Sequence, residues 1–130
     1  MLRLSVESRS VAQFIDITPL VRQAVEGSGT SAAACIVFSP HTTAGITINE
    51  HADPAVAEDM IEALHQLVPN EHRWRHLEGN TPAHVRASLL GTSVTVPIEE
   101  GELALGTWQG IFFCEFDGPR TRQVWIRFLR

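Results

Sequence analysis

A histidine and two hydroxyls close an apolar run in Cys35-Ile36-Val37-Phe38-Ser39-Pro40-His41-Thr42-Thr43-Ala44, and Asn49, Glu50 and Asp53 end the next one. A chain that built only a core would put bulky side chains and ordinary turn residues there. Groups that donate, accept and carry protons at two strand ends read instead as the lining of a pocket. Two more imidazoles have a similar setting: His76 beside the loop Glu78-Gly79-Asn80, and His84 in the first turn of an expected helix. Three imidazoles suit either a divalent metal site with an open position or a set of hydrogen-bonded pocket histidines. Their spacing matches no short metal motif such as His-Glu-x-x-His. His51, His65 and His72 stand among helix-surface or loop residues and are expected to face solvent.

The acids divide by context. Asp53 before Pro54 suits a helix N-cap, whereas Glu50 lacks an evident local partner and is the candidate general base or second metal-binding carboxylate. Glu115, in an apolar strand, either pairs with Arg120 or Arg122 or points into a site. In Gly106-Thr107-Trp108-Gln109-Gly110 the glycines point to close backbone approach, and Trp108 is either a core residue or a wall for an aromatic ring. Thr92-Ser93 offers hydroxyls and amides to an anion or, equally, to ordinary capping.

Several short elements must position these groups. Leu2 to Glu7 alternates like a strand with one wet face, and Phe14 to Ile17 is its expected hairpin partner. Asp16 or Thr18 caps a helix that starts near Pro19 and stops at Gly27-Ser28-Gly29. Strands follow over 32–38 and 45–48, then a helix from Asp53-Pro54 to Pro69-Asn70, and a polar loop to Asn80. Thr81-Pro82 opens a third helix, which Gly91 closes. Val94 to Ile98 and Glu102 to Leu105 are strands around the Glu100-Gly101 turn. Trp108 to Phe116 and Gln123 to Leu129 are expected as arms of a final hairpin, turned by Asp117-Gly118-Pro119-Arg120. Strands outnumber helices without alternating strictly with them, which favours α+β over a doubly wound sheet.

The 130 residues suit one domain, and the net charge of −5 argues against a nucleic-acid partner, whose phosphates need a basic face. All ten basic residues are Arg, so a lysine Schiff base is excluded. Cys35 and Cys114 lie in apolar runs as small core residues. No apolar run approaches the roughly 20 residues that cross a bilayer, and no leader pattern opens the chain, so a cytoplasmic protein without a membrane partner is expected.

Together, His41-Thr42-Thr43-Ala44, Asn49-Glu50 with Asp53-Pro54, Glu78-Gly79-Asn80 with Pro82-Ala83-His84, Ala87-Ser88-Leu89-Leu90-Gly91 and Gly106-Thr107-Trp108-Gln109-Gly110 resemble the small YjbQ-like family of secondary thiamine-phosphate synthases. The resemblance runs from Ile36 to Val124. It implies a single α+β domain over residues 1–130, sandwich-like with about three helices, that assembles as a homotrimer with a histidine-lined pocket near a subunit boundary. His41, His76 and His84 become the site histidines and the ligands of a possible zinc or magnesium ion. Glu50, Asp53, Glu78, Asn80, Ser88, Gln109 and Glu115 are placed around them. Many members follow the strand acid with His, where this chain has Phe116.

The activity so implied joins a pyrimidine diphosphate to a thiazole phosphate and expels pyrophosphate. Arg86, Arg120, Arg122 and a divalent ion are candidates to help the leaving group, and Trp108 to stack on the pyrimidine. His41, Glu50 and Glu115 are the candidate catalytic groups. Asn49, Asn80, Ser88, Trp108, Gln109, Arg120 and Arg122 are the candidate contacts to a small anionic substrate. A metal-assisted hydrolase of a small molecule and a non-enzymatic trimeric metal- or ligand-binding module are the alternatives. The apolar run Ile111-Phe112-Phe113, read as an exposed strand edge, also suits self-association.

Overall fold

A computed structural model describes residues 1–29, 31–71 and 74–130. In chain order the elements are β1 (Leu2–Glu7), β2 (Gln13–Asp16), α1 (Thr18–Gly27), β3 (Ala34–Phe38), β4 (Ala44–Glu50), α2 (Pro54–Leu67), α3 (Thr81–Leu90), β5 (Ser93–Glu99), β6 (Glu102–Leu103), β7 (Gln109–Glu115) and β8 (Thr121–Leu129). The strands form a five-stranded sheet in the order β1-β8-β3-β5-β6 and a three-stranded sheet in the order β2-β7-β4.

Alternation decides how the sheets stack. Val124 and Ile126 of β8, Cys35 and Val37 of β3 and Val96 of β5 meet Ile46 of β4 and Ile111 and Phe113 of β7 in one buried core, which Val21 of α1 also enters. On its other face β7 presents Phe112 and Cys114, which pack with Phe116 against Leu64 of α2 and Ala83 and Ala87 of α3. Being covered on both faces, β7 reads as a continuous apolar run without polar alternation. The result is an α+β sandwich with α2 and α3 on the outer face of the smaller sheet and α1 packed against the inter-sheet core.

The pairing corrects three expectations. β1 and β2 form no hairpin: β1 pairs with β8 and β2 with β7. β7 and β8 also lie in different sheets, so residues 116–120 cross between layers rather than turn a ladder. Ile111-Phe112-Phe113 is no edge, because it occupies the middle strand and is buried. The β5–β6 hairpin forms as expected. Both cysteines are buried, free core residues.

The helix signals act where the sequence puts them. Asp53 caps α2 by accepting from the Ala55 amide at 2.9 Å, with Pro54 beginning the helix. Asp16 accepts from the Thr18 amide at the start of α1, although Ile17 occupies the cap position. At the end of α3 the Gly91 carbonyl accepts from the Ile46 amide at 3.0 Å. A Cβ on Gly45 would meet that carbonyl at 2.6 Å, so glycine is what lets α3 seat directly on β4.

Candidate functional site

Where the β3–β8 ladder stops, the loop from Ser39 to Thr43 takes over. Ser39 Oγ donates to the Ala44 carbonyl at 3.1 Å and accepts from the His41 amide at 3.3 Å, which curls the loop. The last paired residues are Phe38 and Trp125, so the Gln123 amide on β8 has no strand partner on that side. It donates instead to His41 Nε2 at 2.9 Å. A backbone amide only donates, so Nε2 accepts and the neutral ring carries its proton on Nδ1. Burial first, and then the Arg122 charge, push the His41 imidazole below its ordinary value.

The core row behind His41 ends in a buried ion pair. Glu115 continues the inward row of Ile111 and Phe113, and Arg122 that of Val124 and Ile126, so both point between the sheets where the apolar layer runs out. Arg122 Nε donates to Glu115 Oε1 at 2.8 Å, and Arg122 Nη2 meets Oε2. Ser8 Oγ adds a bond to Oε1 at 2.6 Å, and the Phe116 and Asp117 amides bond Oε2 at 3.1 and 3.0 Å. Burial alone would raise the Glu115 carboxyl; bonds from Arg122, Ser8 and the Asp117 amide outweigh it and hold the group below its usual range. With 0% exposure and its oxygens engaged, Glu115 is an anchor rather than a catalytic acid. Arg122 also donates to Thr43 Oγ1 at 2.8 Å, which ties the histidine loop to the same plug.

Around this plug opens a polar pocket of about 650 Å³ lined by His41, Thr42, Thr43, His76, Glu78, Asn80, His84, Asp117, Arg120 and Arg122, with Pro40 at its edge. His76 and His84 meet edge to face with ring centroids 5.6 Å apart. Arg120 donates to the Asp117 carboxylate at 3.0 Å and to the Asp117 carbonyl at 2.9 Å, yet its side chain stays half exposed. Asn80 Nδ2 donates to the same carboxylate at 3.0 Å.

Of the expected site residues, the pocket therefore gathers His41, His76, His84, Asn80, Glu78, Arg120 and Arg122. It does not gather Asn49, Glu50, Asp53, Trp108 or Gln109, which stand at the far end of the β4–β7 ladder, roughly 20 Å away for seven residues of strand. Glu50 and Asp53 line a separate cavity of about 340 Å³ with Asp16, His51 and Glu58. Asn49 accepts from the Glu50 amide, and Gln109 from the Gly106 amide. Ser88 and Trp108 are exposed, Trp108 by 63%. Within one chain, then, Glu50 is no base for the histidine pocket. His51 is partly buried rather than solvent-facing, bonding Asp16 at 2.9 Å. His65 is likewise half-buried, with Nδ1 on the Ile61 carbonyl; His72 lies outside the described residues.

A cage of three histidines around an ion needs three free lone pairs aimed at one point. His41 fails that requirement, since Nε2 is taken by Gln123 and Nδ1 carries the proton. Among the described residues no group of three His, Cys, Asp or Glu side chains is disposed to hold an ion. The expected three-histidine metal site does not fit this arrangement.

Ser8, Asp117 and the Gln123 amide were not picked out from sequence. Parity could have found the first: Ser8 extends the inward row of Leu4 and Val6.

A two-sheet α+β domain with an open polar pocket, three imidazoles and a guanidinium at one end defines the class. The chain belongs to the family described as UPF0047 protein YjbQ-like, which it matches over residues 2–130. It is 48% identical over 127 residues to the UPF0047 protein YugU of Bacillus subtilis, covering 97% of this chain and 96% of that one. A UPF0047 protein of Methanocaldococcus jannaschii is 43% identical over 129 residues, 99% of this chain and 94% of that one. The crystal structure of an uncharacterized conserved YjbQ/UPF0047 protein from Clostridium acetobutylicum superposes with a TM-score of 0.96 at 50% identity, covering 99% and 100% of the two chains. A conserved hypothetical protein from Thermus thermophilus gives 0.92 at 42% identity, again with 99% and 100% coverage.

Proposed function

We propose that the histidine pocket binds a small phosphorylated anion and carries a slow transfer of the thiamine-phosphate synthase type. In that reaction the thiazole nitrogen lone pair forms a bond to the pyrimidine methylene carbon. The carbon–oxygen bond to the diphosphate breaks, and pyrophosphate leaves with the electron pair. The barrier is set by negative charge growing on the departing oxygen, so donors aimed at it are what the site must supply. The observation that carries the reading is the His41 tautomer: with Nε2 bonded to the Gln123 amide, the ring offers Nδ1–H as a donor. The half-exposed Arg120 guanidinium on the pocket wall adds a permanent positive charge.

We further propose a homotrimer acting in the cytoplasm on a dissolved small anion, with no nucleic-acid or membrane partner. The net charge of −5 supports the former exclusion, and no helix among the described residues is long and apolar enough to cross a membrane. Exposed Trp108 and Leu89 are large apolar groups suited to contact between copies. Self-association would also let the far-end group of Asn49, Glu50 and Trp108 on one copy approach the histidines of another.

Purified protein mixed with the two phosphorylated precursors, with and without chelator, tests the transfer. Slow formation of thiamine phosphate is expected, reduced about tenfold or more by His41→Ala or Arg120→Ala. Product that disappears with chelator and returns with magnesium or zinc would restore a role for an ion. No product under any condition overturns the transfer reading and leaves the ligand-binding module.

A further inference from the structure

α2 is anchored toward one end. Of its 14 residues Leu64 alone is buried, packed with Phe112 and Ala83. Past the helix end, buried Arg86 donates from Nη2 to the Val68 carbonyl at 2.7 Å and to Asn70 Oδ1 at 2.9 Å. The N-terminal half instead borders the cavity of about 340 Å³ that separates it from the smaller sheet. That volume lies within the range of roughly 300–1,000 Å³ typical of small-molecule sites. A helix laid on a sheet ordinarily interdigitates with it, and an unfilled apolar gap forfeits those contacts.

Helical period and strand parity set what faces the gap. Pro54, Ala57, Glu58 and Ile61 recur at the spacing of one helix face. On the sheet side, Asp16 stands opposite Phe112 and Phe14 lies two residues along the same face, with the two rings 6.0 Å apart. The floor is therefore aromatic and aliphatic.

The charged and ring groups around that floor accept hydrogen bonds. Burial would raise the Asp16 carboxyl, but bonds from Thr18 and His51 outweigh it and hold the group below its usual range. A carboxylate only accepts, so His51 Nδ1, 2.9 Å away, carries the proton and Nε2 of the neutral ring keeps a lone pair. The ring is seated over Gly110, where a Cβ would collide with its Cγ and Nδ1. His51 Nε2 and the Glu58 carboxylate have no partner among the described residues. Both are reachable: Nε2 is not among the buried unpartnered atoms, and Glu58 is exposed. Glu50 and Asp53 add two acids to the lining, and among the described residues no arginine joins it.

We propose that this wedge binds a small organic cation, a protonated amine on an apolar body, with the body between α2 and the Phe14 ring and the ammonium toward Glu58 and His51. An ammonium has protons for both acceptors, the acids of the lining attract a cation and repel an anion, and an aromatic face favours positive charge. A bare metal ion gains nothing from the apolar floor, and no group of three His, Cys, Asp or Glu among the described residues is disposed to hold one. The site stands apart from the histidine pocket and does not depend on the transfer chemistry there.

The test is a titration of the whole protein with 2-phenylethylammonium at constant ionic strength, followed by the amide resonances of Phe14, Ala57 and Glu58. Saturable shifts at these three are expected. Phenylacetate, with a similar body and the opposite charge, should bind at least about tenfold more weakly, and so should methylammonium, which has the charge without the body. Equal binding of phenylacetate or of neutral 2-phenylethanol overturns the choice of a cation, and equal binding of methylammonium overturns the need for an apolar body. Glu58→Gln, at an exposed position, should weaken the amine several-fold, and Ala57→Leu, which fills the gap from the helix side, should weaken it about tenfold or more. Unchanged affinity in both variants, or shifts confined to Thr42 and Thr43 in the histidine pocket, overturns the site. Affinity that falls as protein concentration rises and copies associate would give the wedge to a second copy of the chain and likewise overturn it.

Discussion

The two ends of the β4–β7 ladder carry similar residue types and hold them in opposite ways. At the Ala44–Glu115 end, the carboxylate and guanidinium are buried, multiply bonded and in phase with the core rows. At the Glu50–Gln109 end, the acid–base pair is Asp16 with His51, whose side chains are 38% and 26% exposed, and Trp108 and Gln109 stand in solvent. A His51 ring packed over Gly110, where a Cβ would collide with it, is the main constraint there. One end is pre-organised by the fold. The other has its polar groups loosely held and ready for whatever covers them.

Unequal energetic worth is the sharpest way to break this contrast. Arg122→Ala leaves the Glu115 carboxylate buried without its cation and is expected to cost about 3–5 kcal/mol in a denaturant titration. His51→Ala at the other end removes a solvent-screened pair and should cost about 1 kcal/mol or less. Losses of similar size would mean that the plug is not the anchor its geometry describes.

His41 sharpens the same contrast through pH. Its folded-state pKa is depressed by burial and by Arg122, so the unfolded chain takes up the proton first as pH falls. The contribution to stability is full above the ordinary value of 6.5 and is lost as pH drops through the folded value. Proton-coupled nitrogen spectra should place the ring proton on Nδ1 at pH 7, with the titration midpoint below 6.5. A ring protonated on Nε2, or a midpoint at or above 6.5, removes the donor role.

Elements were more legible than their partners. The Asp53-Pro54 cap, the Gly91 stop and the Glu100-Gly101 turn are local chemistry, and each acts where the residues put it. Strand pairing was misread because adjacent apolar runs joined by a turn look like hairpins, whereas the chain here steps from one sheet to the other at residues 8–12 and 116–120. The three histidines were legible by context: His41 where a strand gives way to loop, His84 in the first turn of α3, and His76 beside Glu78-Gly79-Asn80 in the loop that precedes it. The separation of Glu50 from them was not, because sequence proximity of His41 and Glu50 conceals a full strand running away from the pocket. Arg86 was visible as a charge, but its burial without a carboxylate depends on the return of α2 beside α3.

The smallest effect expected on the folded chain itself comes from Trp108, and for that reason it separates a surface from an interface. With 63% of the residue exposed and no ring partner among the described residues, Trp108→Ala removes little packing. The change in unfolding free energy at low protein concentration should stay within about 0.5 kcal/mol. If copies associate through this end, however, a large aromatic at the contact is the kind of residue whose truncation costs binding about 2 kcal/mol or more. Sedimentation should then report trimers for the unmodified chain and smaller species for the variant at the same concentration. A mass that is monomeric for both, across a wide concentration range, removes the homotrimer and with it any contribution of Asn49, Glu50 and Trp108 to a neighbour's histidine pocket.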